Sequence, residues 1–142
     1  MLYVATALAN RDPELEVRVR RHRERRPGGW GTLELGGGDL GAVLEAAQQW
    51  EAVLLDSLTL WVSARIPGRE EETLQELDLF LEGATSLGAS LILVSDEVGF
   101  GVVPESDAGR VFRDVLGLVN QRAATVAEEV RLCVAGFGVR IK

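Results

Sequence analysis

Short apolar runs separated by longer amphipathic stretches recur from one end of the chain to the other. The runs at 2–5, 32–35, 52–56, 90–95, 130–135 and 139–141 are rich in Val, Leu and Ile and too short for helices, so they predict strands. Between them apolar residues return at helical spacing over 12–26, 40–50, a short stretch from Ser57 and about 70–87. A long helix is predicted after Pro104-Glu105, where Val111, Val115, Leu118, Val119 and Val126 share a stripe. Local signals agree. Asp12 can cap free amides, Pro13 suits a first helical position, Pro27-Gly28-Gly29 stops the first helix, and Asp39 precedes the second. Alternating strands and helices call for an α/β fold, a mostly parallel sheet with helices on both faces. Gly36-Gly37-Gly38 and Pro67-Gly68 read as connections, so residues 1–142 are expected to form a single domain.

Composition narrows the class. With 46% hydrophobic residues the chain can build one real core. Its one cysteine, Cys133, allows no intrachain disulfide and lies in an apolar run, where a buried thiol is expected. No apolar run approaches a membrane span and Met1-Leu2-Tyr3-Val4-Ala5 is too short for a targeting region, so a soluble, cytoplasmic protein is expected.

Charge is unevenly spread. The formal net charge is −7, yet residues 1–27 carry seven arginines against four acids, which leaves −10 on the remainder. One basic patch on an acidic body favours a small anionic ligand over nucleic acid, whose backbone tracks an extended basic surface. The patch holds the only histidine, in Arg18-Val19-Arg20-Arg21-His22-Arg23-Glu24-Arg25-Arg26-Pro27. An imidazole ringed by guanidinium groups suits phosphoryl or nucleotidyl transfer. Arginines offer bidentate donors to phosphate, and their charge disfavours protonating the ring. The plainer reading is a solvated arginine-rich helix with an incidental histidine. At about 100° per residue, Leu15, Val19 and His22 fall on one stripe bordered by Arg18 and Arg26, which turns the imidazole toward the body of the domain.

Polar residues gather where an open parallel sheet binds ligands, beyond the carboxyl ends of its strands: Thr6, Glu34, Asp56 and Asp96-Glu97. Val53-Leu54-Leu55-Asp56 has the apolar-strand-then-acid form that holds magnesium in nucleotide-binding folds, and equally the form of a strand whose aspartate caps the next turn. Asp96-Glu97 carries the same two readings. No phosphate-binding loop lies within residues 1–142, because that loop needs Gly-Lys followed by Ser or Thr and the only lysine is Lys142.

Several segments together resemble the bifunctional adenosylcobinamide kinase / adenosylcobinamide-phosphate guanylyltransferase family. They are Leu2-Tyr3-Val4-Ala5-Thr6, the His22 block, Trp30 with Thr32 and Glu34, and Leu54-Leu55-Asp56-Ser57-Leu58-Thr59. Glu97-Val98-Gly99-Phe100-Gly101-Val102-Val103-Pro104-Glu105 is the most specific, and Asn120-Gln121-Arg122 and Gly136-Phe137-Gly138-Val139-Arg140-Ile141-Lys142 follow in order. The resemblance spans essentially the whole chain and implies a P-loop NTPase fold of RecA-like type. Family members usually open with a strand, a Gly-rich loop carrying lysine, and a helix before the strand that matches 2–5. That unit is missing from residues 1–142, which counts against the kinase step here.

The resemblance implies two steps in building the nucleotide loop of cobalamin: phosphorylation of adenosylcobinamide by a nucleoside triphosphate, then transfer of GMP from GTP to the phosphate. His22 matches the histidine that becomes guanylylated. Thr6, Ala7, Leu8, Arg23, Glu24, Arg25, Arg26, Glu34 and Asp56 match nucleotide contacts, with Asp56 the magnesium ligand. GTP and ATP would be substrates, the corrinoid the acceptor, and the assembly a homotrimer. The contrasting class is a noncatalytic nucleotide- or corrinoid-binding relative. Trp50 and Trp61 are expected in the core or a subunit contact, and Trp30 in either a core or a ligand platform.

Overall fold

The computed structural model describes residues 1–8, 13–24 and 26–142, and of residues 13–16, 18 and 22 the backbone alone. Leu2–Ala5 forms β1, which runs parallel to β2 (Gly31–Glu34) on one side and to β3 (Ala52–Asp56) on the other, with β4 (Ser90–Val94) beyond β3. The strand order is β2-β1-β3-β4, all parallel, and helices flank the sheet. The expected α/β class and parallel sheet are therefore the ones observed. As an interior strand β1 has both edges paired, and its residues are buried on either face, Leu2 and Val4 on one and Tyr3 on the other.

Register sorts the strand residues onto two faces. Leu2 and Val4 align with Val53 and Leu55, and this face packs against α2 (Gly41–Ala47), α3 (Leu58–Ser63), α4 (Glu70–Ala84) and α5 (Asp107–Val126). Val43, Trp61, Phe80, Leu77, Leu116 and Val119 fill the core between them. The opposite face presents Tyr3, Thr32, Glu34 and Asp56, with Ile92 and Val94 exposed further along. Three of the helices show their local causes plainly. In α4, Thr73, Leu77, Phe80 and Leu81 make one buried stripe, and Glu70, Glu71 and Glu72 sit at its positive end. Ser57 and Ser106 cap α3 and α5 by accepting from the amides of Leu60 and Gly109.

Three boundaries differ from expectation. The first helix, α1, is assigned over Pro13–Glu24, so Arg26 lies past its end, while the Asp12 cap falls outside the described residues. α2 stops at Ala47, and Asp39, expected as its cap, instead accepts from the Gly41 amide at 2.7 Å one residue before the cap position. Among the described residues β5 (Arg131–Val134) and β6 (Phe137–Arg140) pair only with each other, through an Ala135-Gly136 turn in which both residues have positive φ. Cys133 is consequently exposed, which corrects the expected buried thiol: the apolar run belongs to a hairpin outside the main sheet.

One buried ion pair fixes the glycine loop after β2. Arg65 donates to both carboxylate oxygens of Glu76, at 2.6 and 3.0 Å, and to the Gly38 carbonyl at 3.0 Å. Glu76 also accepts from the Leu40 amide, and the Arg65 guanidinium lies over the Trp61 ring, whose indole N–H donates to Gly38. Trp61 is completely buried and Trp50 packs against the core, as expected of both.

Candidate functional site

Tyr3 stands at the centre of the sheet face left uncovered by α2–α5. A tyrosine in the middle of an apolar strand buries its ring but must find a partner for its hydroxyl. Here the hydroxyl donates to Asp56 Oδ2, at the end of the neighbouring strand. Burial first, and the Asp56 carboxylate second, push the phenol well above its ordinary value, so it remains a protonated donor. On the ring face sits the guanidinium of Arg26, 3.5 Å from the centroid. Arg26 Nη1 donates to Thr32 Oγ1 at 3.0 Å, and Thr32 is the β2 residue in register with Tyr3. Arg26 Nε is buried without a hydrogen-bond partner.

Beside this chain of contacts a cavity of about 450 Å³ runs along β2, lined by Arg23, Arg26, Pro27, Trp30, Thr32 and Glu34. Arg23 pairs with Glu34 across it, both half-exposed. An exposed pair of this kind contributes little to stability and opens at small cost. Of the positions expected to contact nucleotide, Arg23, Arg26 and Glu34 thus converge on one cavity, and Asp56 joins them through Tyr3. Trp30, with two readings from sequence, lines the cavity. A larger cavity of about 680 Å³ lies at the amino ends of β3 and β4, lined by Leu44, Trp50 and Gly83 among others, away from these groups.

The other expected residues are placed less directly. Thr6 is fully buried, and its hydroxyl donates to the Ser57 carbonyl at 2.7 Å while accepting from the Ser57 amide at 2.6 Å. Ala7 is half-buried, Leu8 is exposed and Glu24 is exposed at the end of α1. Arg25 and the side chains of Leu15, Arg18 and His22 lie outside what is described, and with them the inward stripe expected of His22. The His22 backbone belongs to the last turn of α1, four residues before Arg26.

The segment from Ser95 to Glu105 is anchored at both ends, at the far one by Arg110 Nη1 donating to the carbonyls of Pro104 and Glu105. Ser95 donates to Asn120 Oδ1 at 2.6 Å, Asn120 Nδ2 donates to the Asp96 carbonyl, and the Asp96 amide donates to Thr59 Oγ1. Glu97 accepts from the Gly99 amide at 2.7 Å and starts a short 3-10 turn, Val98–Phe100, which is the capping arrangement. Arg122 bonds the Leu74 carbonyl and Asp78 at 2.5 Å, tying α5 to α4. These contacts supply the physical role that sequence left open for Asn120 and Arg122. Between the anchors Phe100, Val102 and Val103 are strongly exposed.

Among the described residues no three of His, Cys, Asp and Glu gather into a metal cage. Asp56 alone still fits magnesium. This ion keeps several waters and takes one or two carboxylates plus substrate phosphates. Tyr3 holds one oxygen of Asp56, which orients the other.

A parallel sheet of this order, flanked by helices and with an acid closing the apolar strand β3, defines an α/β protein. The family model described as cobinamide kinase / cobinamide phosphate guanyltransferase matches residues 1–141, and the chain belongs to that family. It is 33% identical over 156 aligned residues to the bifunctional adenosylcobalamin biosynthesis protein CobU of Salmonella typhimurium, covering 100% of this chain and 86% of that one. The protein of the same name from Escherichia coli is 34% identical over 157 residues with the same coverage. The bifunctional adenosylcobalamin biosynthesis protein CobP of Pseudomonas aeruginosa is 36% identical over 141 residues, covering 99% of this chain and 81% of that one.

Proposed function

We propose that this chain acts in adenosylcobalamin biosynthesis as a guanylyltransferase, moving GMP from GTP to adenosylcobinamide phosphate through a guanylylated His22. The observation that carries the reading is the cavity where Arg23, Arg26 and Glu34 meet beside the Tyr3–Asp56 pair, in a chain matched to this family over residues 1–141. Neutral His22 attacks the α-phosphorus of GTP. A P–N bond forms as the bond to the β-phosphate oxygen breaks, and pyrophosphate leaves. A phosphate oxygen of the corrinoid then attacks the same phosphorus, breaking the P–N bond and yielding adenosylcobinamide-GDP. Arg23 and Arg26 donate to phosphate oxygens, with Thr6, Ala7, Leu8, Glu24, Arg25 and Glu34 completing the nucleotide contacts. Asp56 would hold magnesium, which supplies compensation for the triphosphate charge when bound. The acting form is taken to be a cytoplasmic homotrimer. No helix among the described residues is long and apolar enough to cross a membrane.

The family's kinase step uses a nucleoside triphosphate, ATP or GTP, on adenosylcobinamide. Residues 1–142 carry no Gly-Lys-Ser/Thr loop for the β- and γ-phosphates, so the guanylyl step is the one this stretch supports. The noncatalytic alternative predicts binding without turnover. Incubating residues 1–142 with GTP, magnesium and either adenosylcobinamide or its phosphate, and separating the products, tests the reading. Adenosylcobinamide-GDP from the phosphate alone is expected. No product from either acceptor, with nucleotide bound, supports the noncatalytic alternative instead.

A further inference from the structure

Arg26 and Asp56 face the same tyrosine. The guanidinium lies 3.5 Å from the Tyr3 ring centroid, and the carboxylate accepts from the Tyr3 hydroxyl. They carry opposite charge, Asp56 at the end of β3 and Arg26 reaching the same tyrosine from the turn after α1, yet neither belongs to an ion pair among the described residues. We infer that Tyr3 is a spacer that keeps Arg26 and Asp56 from neutralising each other, so that each meets its own part of a metal–nucleotide ligand. The inference rests on the proposed role of Asp56 as magnesium ligand.

The chemistry requires such a device. An arginine and a carboxylate within reach close into a bidentate pair, which occupies both carboxylate oxygens and two guanidinium donors. Arg65 and Glu76 do this in the same molecule. At the candidate site that closure would remove the carboxylate from a cation and the guanidinium from phosphate together. Tyr3 blocks it in two ways. Its ring occupies the face of Arg26, whose Nη1 is turned to Thr32 at 3.0 Å while Nε is buried without a hydrogen-bond partner. Its hydroxyl holds Asp56 Oδ2, a hydrogen bond that satisfies the carboxylate without cancelling its charge. Phenylalanine would keep the first function and lose the second; leucine would lose both. Tyr3 is thus a positioning residue acting through Asp56 and Arg26.

The test reads metal binding rather than turnover. Manganese, visible by electron paramagnetic resonance, is titrated into the protein saturated with a GTP analogue whose α–β bridge is methylene. The proteins are wild type, Asp56→Asn, Tyr3→Phe, Tyr3→Leu and each Tyr3 variant combined with Arg26→Gln. Loss of a partner that orients a metal ligand weakens metal binding roughly tenfold to a hundredfold, and Tyr3→Leu is expected in that range with Tyr3→Phe milder. Adding Arg26→Gln is expected to restore most of the affinity, because the competing guanidinium is gone. A merely structural tyrosine gives no such rescue. If Tyr3→Leu does not fold, Tyr3→Phe decides alone by the same loss and rescue. Wild-type affinity in the Tyr3 variants, or weakness that persists after Arg26→Gln, overturns the spacer while leaving Asp56 as ligand. Wild-type affinity in Asp56→Asn overturns the metal reading itself, and the spacer with it.

Discussion

Thr6 and Ser57 exchange two hydrogen bonds, the threonine hydroxyl donating to the carbonyl of Ser57 and accepting from its amide. The Thr6 amide also donates to the Asp56 carbonyl, so three bonds tie the end of β1 to the residue pair that closes β3. Asp56 is held from both sides, by this backbone clamp and by Tyr3.

Replacing Thr6 by valine keeps the volume and leaves the buried Ser57 amide without its acceptor, at a cost of about 1–3 kcal/mol. Serine, which retains the hydroxyl, should lose less. Urea unfolding of both variants checks this, and a valine variant as stable as wild type would show that the clamp is dispensable.

Arg65 and Glu76 give a larger effect. Removing one partner of a buried pair leaves the other uncompensated, so Arg65→Ala or Glu76→Ala should each lose about 3–5 kcal/mol. Removing both should be less harmful than the two losses added, a coupling that a double-mutant cycle by chemical denaturation measures. Strict additivity would contradict the pairing.

The sequence made this pair and the strands legible to different degrees. Runs at 2–5 and 52–56 gave strands at those residues because apolar segments bounded by polar ones leave little choice of register. Glu76 falls between Thr73 and Leu77 on the buried stripe of α4, a position that signals a buried charge, but nothing local names Arg65 as its partner. The exposure of Cys133 is not legible, because an apolar run looks alike in a core strand and in a hairpin outside the main sheet. Arg23, Arg26 and Glu34 were legible as a group, whereas Tyr3 read only as a strand residue. Its signal was a hydroxyl in an otherwise apolar central strand. The convergence of Arg26, Thr32 and Asp56 around it depends on strand order, which local pattern does not encode.

Tyr3 is the only tyrosine, so an alkaline absorbance titration reads it directly. Burial and the Asp56 carboxylate hold its proton more tightly in the folded chain than in the unfolded one. This contribution to stability is therefore intact below about pH 10 and is lost as pH climbs toward the raised folded value. Folded protein should show no tyrosinate at the ordinary midpoint. In Asp56→Asn the midpoint should fall while staying above the ordinary value, because burial remains. An ordinary midpoint in folded wild type would contradict the Tyr3 environment.

Asp56→Asn also separates a metal ligand from a carboxylate that only holds the Tyr3 hydroxyl, since the cap of α3 is Ser57. Asparagine preserves volume and still offers an oxygen to that hydroxyl, so thermal unfolding should change by about 1 kcal/mol. Magnesium-dependent guanylylation should nevertheless collapse, because the charge that compensates the cation is gone. Guanylylation with unchanged magnesium dependence in the variant would leave Asp56 only a structural role.

In the proposed route His22 carries GMP. Incubation with GTP and magnesium, followed by intact-mass measurement under neutral and acidic conditions, tests it on wild type and His22→Ala. The prediction is an acid-labile mass increase of one GMP in wild type and none in His22→Ala, with both proteins folded by circular dichroism. The same adduct on His22→Ala, or no adduct on a wild type that still forms adenosylcobinamide-GDP, would contradict the covalent histidine route.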